Sequence, residues 1–338
     1  MVDGGVGLIR RRRGRRLAWA VPLALVLVVA LGGASASARE DDRRPRRPRP
    51  SAGCPVGFDC RPFTVDACQG VTPTKGLLAV SVPAQARGLV VFLSGGGGEQ
   101  WFGGAAPSVL AWMGRLEREG LGIVQVRWAT NVWAAPETAG PDAAACRAAE
   151  AIRLIHRDHY APIAVSPAAG RCGFCLVGNS GGASQAAYAL SRYGLDELVD
   201  AAVLAGGPPH AALDKGCLRR AGEEAYWYEP SNARRIDTSY GFRADGPCAR
   251  HDSSYFVRWR QDGVDTGSLD YLHGTRIVLL YGERDATVGP QHGRDYARSR
   301  GMVPTNQVEE RTVPGTGHDM AQSRHGQGAI RAALFDLQ

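Results

Sequence analysis

The sequence predicts an α/β protein in which a mostly parallel β-sheet is flanked by helices on both faces. Short apolar runs such as 88–93 and 276–281 have the length and composition of buried parallel strands. Segments with helical spacing, such as 107–119, alternate with these runs along the chain. One apolar run, 174–177, leads through a glycine-rich turn directly into a helix. Alternation of this kind favours one layered α/β domain over an all-helical or all-β fold.

The elements follow one another from residue 77 to residue 336. We predict strands at 77–82, 88–93, 123–128, 174–177, 199–204, 276–281 and 308–313, the last of them more exposed than the others. We predict helices at 107–119, at 141–159, from the glycine-rich turn to Gly194, and at 328–336. The stretch from 53 to 338 is long enough for one large domain with a substantial core.

The first 38 residues have the organisation of a secretory signal peptide. Arginines at 10–13, 15 and 16 form a basic segment, and the apolar run 17–31 is shorter than the about 20 residues that a bilayer span needs. The A-x-A pattern at 34–38 predicts cleavage after Ala38, with an uncleaved signal anchor as the alternative. The paired arginines also permit a twin-arginine export route. The sequence therefore predicts a secreted or extracytoplasmic protein.

A charged linker follows at 39–52 and, together with the signal sequence, carries the positive charge of the protein. Its Arg and Pro residues leave nothing apolar to bury, which predicts a disordered segment. Residues 1–50 carry a net charge of +8, whereas the whole chain carries +7, so the predicted folded region is close to neutral. The basic charge therefore does not indicate nucleic-acid binding. Residues 39–50 could instead hold the protein loosely at an anionic envelope surface.

Eight cysteines, an even number, follow the signal sequence. In an extracytoplasmic protein this pattern predicts disulfides rather than metal ligands. We expect Cys217 to pair with Cys248 and the N-terminal cysteines to fasten the N-terminal arm. Cys172 and Cys175 match a redox C-x-x-C motif, but a strand follows them instead of the helix N-terminus that would stabilise a thiolate. We therefore do not assign redox chemistry to them.

The strongest functional signal is the turn Gly178-Asn179-Ser180-Gly181-Gly182, which fits the pattern G-x-S-x-G. A strand before this turn and a helix after it would project the Ser180 hydroxyl above the sheet, at a helix N-terminus that favours negative charge. A plain glycine-rich turn is the alternative. With its flanking elements, the segment resembles the nucleophile elbow of the α/β-hydrolase superfamily.

The resemblance implies a base and an acid further along the chain. His318 lies in a glycine-rich loop after the last predicted strand, and Asp285 follows the strand 276–281, which gives the order Ser, Asp, His expected of this superfamily. His325 and His292 are weaker candidates for the base, because each lies in a polar segment that predicts an exposed helix or loop. Glu283 is the alternative acid, and a surface ion pair with Arg284 is the alternative role for either carboxylate.

The resemblance also implies an oxyanion hole made of backbone N–H groups. Gly181 follows the nucleophile, and the loop Gly95 to Gly98 occupies the place of the superfamily's HGGG-type loop, with Gly96 and Gly97 as the candidate donors. Ser94 stands where that motif carries His, so the choice of donor stays open. A flexible glycine loop without this role is the alternative.

The same resemblance implies that the segment 207–274 is a cap or lid over the C-terminal edge of the sheet. Trp101, Trp128 and Trp133 lie near predicted strand ends, where they could line a substrate pocket or belong to the core.

Taken together, these residues predict a secreted serine hydrolase that cleaves small-molecule or polymeric carboxylic esters through an acyl-enzyme, with no cofactor and no metal. A polyester depolymerase, a peptidase and an acyltransferase would use the same residues, and a non-catalytic envelope protein could keep the fold. The sequence contains no H-E-x-x-H motif, which is the spacing that would indicate a metal-dependent hydrolase.

Overall fold

The computed structural model describes residues 53–66, 68–135, 139–163, 172–266 and 274–336. The strands are β1 (Asp59–Val65), β2 (Thr74–Ser81), β3 (Gly88–Leu93), β4 (Leu121–Trp128), β5 (Phe174–Asn179), β6 (Ala201–Ala205), β7 (Arg276–Gly282) and β8 (Gln307–Val313). The α-helices are α1 (Pro107–Arg118), α2 (Gly140–Ala144), α3 (Cys146–Ile155), α4 (Gly181–Tyr193), α5 (Leu213–Leu218), α6 (Pro230–Ser239), α7 (Phe256–Asp262), α8 (Gly289–Gly301) and α9 (Arg324–Phe335).

The described strands form one sheet in the order β1-β2-β4-β3-β5-β6-β7-β8. Strands β3 to β8 run parallel to one another, whereas β1 and β2 are antiparallel at one edge. The predicted class, a mostly parallel sheet flanked by helices, is confirmed. The sequence analysis missed β1, because its residues alternate irregularly and include Pro62.

The central strands are buried on both faces, which explains their continuous apolar composition. Every residue of β3, β5 and β6 is buried. Alternate side chains of these strands enter two separate hydrophobic clusters, one of them packed with α3 and α4 and the other with α1 and α9. The sheet is therefore a rigid base from which loops project at the carboxyl ends of the strands.

Two helix predictions were wrong in their bounds. The segment 141–159 forms two helices, α2 and α3, separated at Ala145, and it continues after Ile155 as a widened turn over His156–Tyr160. The closing helix, predicted from 328, begins four residues earlier at Arg324, where the Ser323 side chain accepts a hydrogen bond from the Gly326 N–H and caps the helix.

The segment after β6 contains α5, α6 and α7 within its described part, 207–266. These helices share a small hydrophobic cluster of their own, centred on Trp259, Tyr228 and Tyr240. The Asp237 carboxylate accepts hydrogen bonds from the backbone N–H groups of Gly246, Cys248 and Ala249 and so fixes the loop after α6. We call residues 207–266 the cap segment.

All eight cysteines are paired. The structure joins Cys217 to Cys248, the pair expected from the sequence, inside the cap segment. Cys68 is joined to Cys146 and so ties the N-terminal arm to α3. The other two pairs are Cys54 with Cys60 and Cys172 with Cys175.

The predicted signal peptide (1–38) and the linker (39–52) lie outside the described residues. Within the described part of the chain, no helix combines the length and the apolar composition needed to cross a bilayer.

Candidate active site

Ser180 occupies a strained turn between β5 and α4. Its backbone has φ 54° and ψ −119°, a conformation that a non-glycine residue adopts only when its surroundings hold it there. The Ser180 N–H donates to the Ala205 carbonyl at 2.8 Å, and the Ser180 carbonyl accepts from the Ser184 N–H at 3.1 Å inside α4. The neighbouring strand and the helix therefore both hold the turn in place.

The glycines around this turn are required by close approaches of the backbone. A Cβ on Gly182 would lie 2.0 Å from the Leu93 carbonyl oxygen, and a Cβ on Gly178 would lie 2.4 Å from the Gly182 backbone. Real Cβ atoms are never found so close to backbone atoms. Because only hydrogens fit here, α4 packs directly against the end of β3, which brings Ser180 next to the glycine loop.

Asp285 and His318 are hydrogen-bonded to each other across two loops. His318 Nδ1 lies 2.8 Å from Asp285 Oδ2, with the carboxylate side chain fully buried and the imidazole 32% exposed. With Nδ1 donating to the carboxylate, Nε2 of the neutral ring is left as the acceptor. Among the described side chains, no direct hydrogen bond joins Ser180 to His318, although both line the same cavity. Such contacts commonly tighten only when substrate binds.

Asp285 is held as a carboxylate by more than its histidine partner. Burial alone would raise its pKa, but the hydrogen bond from His318 and those from the Thr287 N–H and hydroxyl outweigh burial and lower the pKa. Thr287 donates from its hydroxyl to Asp285 Oδ1 at 2.8 Å. A charged acid in this position stabilises an imidazolium on its neighbour.

Two glycines make room for the histidine loop. Gly206, at the end of β6, has φ +62°, and a Cβ there would lie 3.1 Å from ring atoms of His318. A Cβ on Gly282, at the end of β7, would lie 2.3 Å from the Gly317 carbonyl oxygen. The ends of β6 and β7 therefore fix the position of the imidazole against the sheet.

The loop Gly95 to Gly98, which we call the oxyanion loop after the role predicted for it, is tied down through all four of its carbonyls. These accept, in order, from the Gly98 N–H, the Trp133 indole, the Val132 N–H and the Trp128 N–H. No acceptor within the described residues is bonded to the N–H groups of Gly95, Gly96 or Gly97. The engaged carbonyls hold the loop in place and leave these N–H groups as available donors.

This loop lies against the elbow. A Cβ on Gly181 would lie 2.2 Å from the Gly96 oxygen and 2.8 Å from its nitrogen, and a Cβ on Gly95 would lie 3.3 Å from the Ser180 Cβ. Gly96 and Gly181, the candidate donors on either side of the nucleophile, are thus in direct contact. Gly97 is buried against Asn131 and lies further into the fold.

A cavity of about 220 Å³ contains these groups. It is lined by Ser94, Gly95, Gly96, Gln100, Trp101, Gly103, Gly104, Asn179, Ser180, His318 and Asp319. A larger groove of about 630 Å³ lies between α1 and α9 and includes none of the candidate catalytic residues.

The three tryptophans have different roles, which the sequence left open. Trp101 lines the cavity, and its indole N–H donates to the Gly53 carbonyl. Trp128 and Trp133 are 1% exposed and belong to the core. Both support the site through their indole N–H groups: Trp128 donates to the Gln185 side chain, and Trp133 donates to the Gly96 carbonyl at 3.2 Å.

The alternative candidates lie away from the serine. The expectation that His292 is exposed was wrong: its ring is fully buried, accepts from the Ala212 N–H at 3.1 Å and contacts the Tyr226 carbonyl at 3.0 Å. The cap segment contacts His292 through Ala212 and Tyr226, and this contact buries the side chain although the sequence of α8 is polar. His325 is exposed on α9. Glu283 accepts from the Gly315 N–H at 2.8 Å and so braces the histidine loop instead of contacting the imidazole.

Sequence reasoning missed three polar residues near the site, of which Asp319 lines the cavity. Thr287 supports Asp285, and the pattern Asp-x-Thr, typical of a local side-chain turn, could have indicated it. Asp319 lines the cavity with one carboxylate oxygen buried and without a partner in the described part of the chain, and burial raises its pKa. Arg235, in the cap segment, has its Nη2 atom 3.7 Å from the position that a Cβ on Gly96 would occupy, and no local signal predicts that proximity. Within the described residues, no group of three or more His, Cys, Asp or Glu side chains is arranged to hold a metal ion.

Solved structures with a similar fold include several esterases. An esterase from Pyrobaculum calidifontis superposes with a TM-score of 0.51 at 15% identity, covering 82% of this chain and 85% of that one. A bacterial heroin esterase gives 0.51 at 16% identity, covering 83% and 84%, and carboxyl esterase 2 from Tuber melanosporum gives 0.50 at 16% identity, covering 83% and 86%. No protein-family model and no curated protein sequence matches the chain. The chain has the α/β-hydrolase fold, as the elbow sequence led us to expect.

Proposed function

We propose that this protein is a secreted serine hydrolase that cleaves carboxylic esters. The proposal rests on one arrangement: a serine on a strained elbow faces the same cavity as a histidine that is hydrogen-bonded at 2.8 Å to a buried carboxylate. The fold shared with esterases supports the same class of activity.

The first half-reaction would form an acyl-enzyme. Ser180 Oγ attacks the ester carbonyl carbon while its proton passes to His318 Nε2, and the charge of the imidazolium is balanced by Asp285. The carbonyl oxygen becomes an oxyanion, which the N–H groups of Gly181 and of the Gly96 and Gly97 segment bind. When the intermediate collapses, the C–O bond breaks and the leaving alkoxide takes the proton from Nε2.

The second half-reaction would release the acid by the same groups. Water adds to the acyl carbon and gives one proton to His318 Nε2, and collapse of the new tetrahedral intermediate returns that proton to Ser180 Oγ. An acyltransferase would use an alcohol in place of this water, and a peptidase would expel an amine in the first step. A polyester depolymerase would carry out both steps on a polymer chain.

Secretion is part of the proposal. Four disulfides are compatible with an oxidising, extracytoplasmic compartment. The test is whether residues 1–38 are absent from the exported protein, read from the N-terminal sequence of the mature chain.

The test of the mechanism is the variant Ser180→Ala, assayed on p-nitrophenyl butyrate. We expect turnover to fall by a factor on the order of 10⁴ or more, with an unchanged melting temperature, because only the nucleophile is removed. Ser108→Ala, at an exposed serine in the first turn of α1, is the control. A fluorophosphonate probe should label the wild type and the control but not Ser180→Ala. Retention of activity by Ser180→Ala would exclude the mechanism, and an unlabelled, inactive wild type would favour a non-catalytic role.

A further inference from the structure

The cap segment places an arginine next to the oxyanion loop. Arg235, on α6, has its Nη2 atom 3.7 Å from the position that a Cβ on Gly96 would occupy. Gly96 lines the cavity that contains Ser180 and His318. A guanidinium is therefore held beside the loop to which we assign the oxyanion.

This arginine has no carboxylate partner within the described residues. Its one hydrogen bond to protein runs from Nη1 to the side-chain oxygen of Asn232, at 2.8 Å. By contrast, the adjacent Arg234 is exposed and lies 3.4 Å from an Asp245 oxygen. Arg235 keeps Nη2 and Nε as donors, which is the fork that binds a carboxylate through two parallel hydrogen bonds.

Arg235 is also partly desolvated. Burial lowers its pKa, and the charge of the exposed Glu99 opposes this effect without forming an ion pair. The field of Arg235 reaches the buried His210 and adds to the desolvation that lowers the pKa of that imidazole. An unpaired cation that is shielded from water is costly, and an anionic ligand would offset that cost.

The acidic side chain in the cavity wall does not occupy this arginine. Asp319 belongs to the histidine loop, the charge of Arg235 is not among the causes that shift its pKa, and no ion pair joins the two side chains within the described residues. A carboxylate therefore lines the cavity on the histidine side, and a guanidinium lies beside Gly96 on the cap side.

We propose that Arg235 binds a carboxylate carried by the substrate itself, so that the preferred substrates are esters with a second, anionic acid group near the scissile bond. This inference rests on the proposed function. Arg235 is a specificity residue here: it binds a part of the substrate that does not react.

The test compares matched anionic and neutral esters. The first pair is p-nitrophenyl hemisuccinate, which carries a carboxylate on its acyl group, and p-nitrophenyl pentanoate, whose acyl group is neutral. The second pair is 4-acetoxybenzoate and 4-acetoxybenzamide, which place it on the leaving group. We expect Arg235→Gln to lower kcat/KM about 10- to 100-fold for the anionic member of at least one pair and to leave the neutral member within about twofold.

Arg234→Gln removes the same charge one residue earlier on the same helix and is the control. It should leave all four esters unchanged, and Arg235→Lys should restore part of the preference. Equal losses on anionic and neutral esters in Arg235→Gln would overturn the inference, since they would make Arg235 an oxyanion donor or a structural residue. The inference would also be overturned if Arg235→Gln left kcat/KM unchanged for the anionic esters, or if Arg234→Gln lowered it by the same factor.

A binding measurement separates failure of this inference from failure of the proposed function. Glutarate should raise the melting temperature of the wild type more than glutaramide does, and Arg235→Gln should abolish that difference. If neutral esters are turned over but glutarate raises the melting temperature of the wild type and of Arg235→Gln equally, the arginine inference is wrong and the hydrolase proposal stands. If no ester is turned over while glutarate still discriminates, the hydrolase proposal fails and the anion site remains.

Discussion

Adding one methyl group to Gly182 should damage catalysis through the backbone alone. A Cβ there would lie 2.0 Å from the Leu93 oxygen and 2.7 Å from the Ser94 oxygen, whereas contacts under 3.0 Å are essentially never seen. Either α4 or the end of β3 must therefore move by about 1 Å. Both choices separate Ser180 from the oxyanion loop, and a displacement of this size typically costs about 100-fold in rate.

The assay is kcat for p-nitrophenyl butyrate, corrected for the folded fraction by circular dichroism. We expect Gly182→Ala to lose about 100-fold in kcat, and overpacking to cost about 1–3 kcal/mol of stability. Gly328→Ala is the control, because a Cβ at that position of α9 meets nothing within 4 Å. A folded Gly182→Ala protein with kcat within about threefold of the wild type would refute the idea that this contact sets the distance between nucleophile and oxyanion loop.

Two further predictions concern the supports of the site. Trp133→Phe keeps an aromatic ring but loses the indole hydrogen bond to the Gly96 carbonyl, so kcat should fall about tenfold. The control is Trp112→Phe, which removes a buried indole N–H without a partner among the described residues and should leave kcat unchanged. Equal losses of kcat in both variants would contradict the role assigned to Trp133. Burial lowers the pKa of His292 from 6.5 to about 4, so the unfolded chain binds the extra proton first as the pH falls. Through this one group, the free energy of unfolding of the wild type should therefore fall by about 3 kcal/mol as the pH drops from 6.5 to 4. Urea unfolding should show a smaller fall over this pH range in His292→Gln than in the wild type or in the exposed His325→Gln.

The parts of the site that could be predicted are those encoded within a few residues. The run from Phe174 through Gly182 specifies a strand, a tight turn and a helix, and only glycine satisfies the contacts at 178 and 182. Asp285 and His318 were recognisable because each follows a strongly apolar strand, and loops after parallel strands meet at one edge of the sheet. Their mutual hydrogen bond then follows from strand order.

The parts that could not be predicted depend on contacts made by the cap segment. His292 lies in a helix with a polar sequence, and it is buried only because the segment around Ala212 and Tyr226 covers it. The contact between Arg235 and Gly96 joins residues 139 positions apart, and neither carries a local pattern that indicates the other. The cap helices have weak periodicity, since they pack on one another and on the sheet with small apolar faces.

The sequence by itself determined the class of sheet, the chain order of the residues proposed as nucleophile, acid and base, and the glycines near them. These follow from short-range rules: apolar runs bury themselves as strands, and glycine permits backbone approaches that every other residue forbids. Only the tertiary structure decided which carbonyls of the oxyanion loop are engaged, which tryptophan supports it, and which cation lies beside Gly96. Those contacts depend on how distant segments dock, and docking energy is spread over many weak contacts that no single stretch of sequence displays.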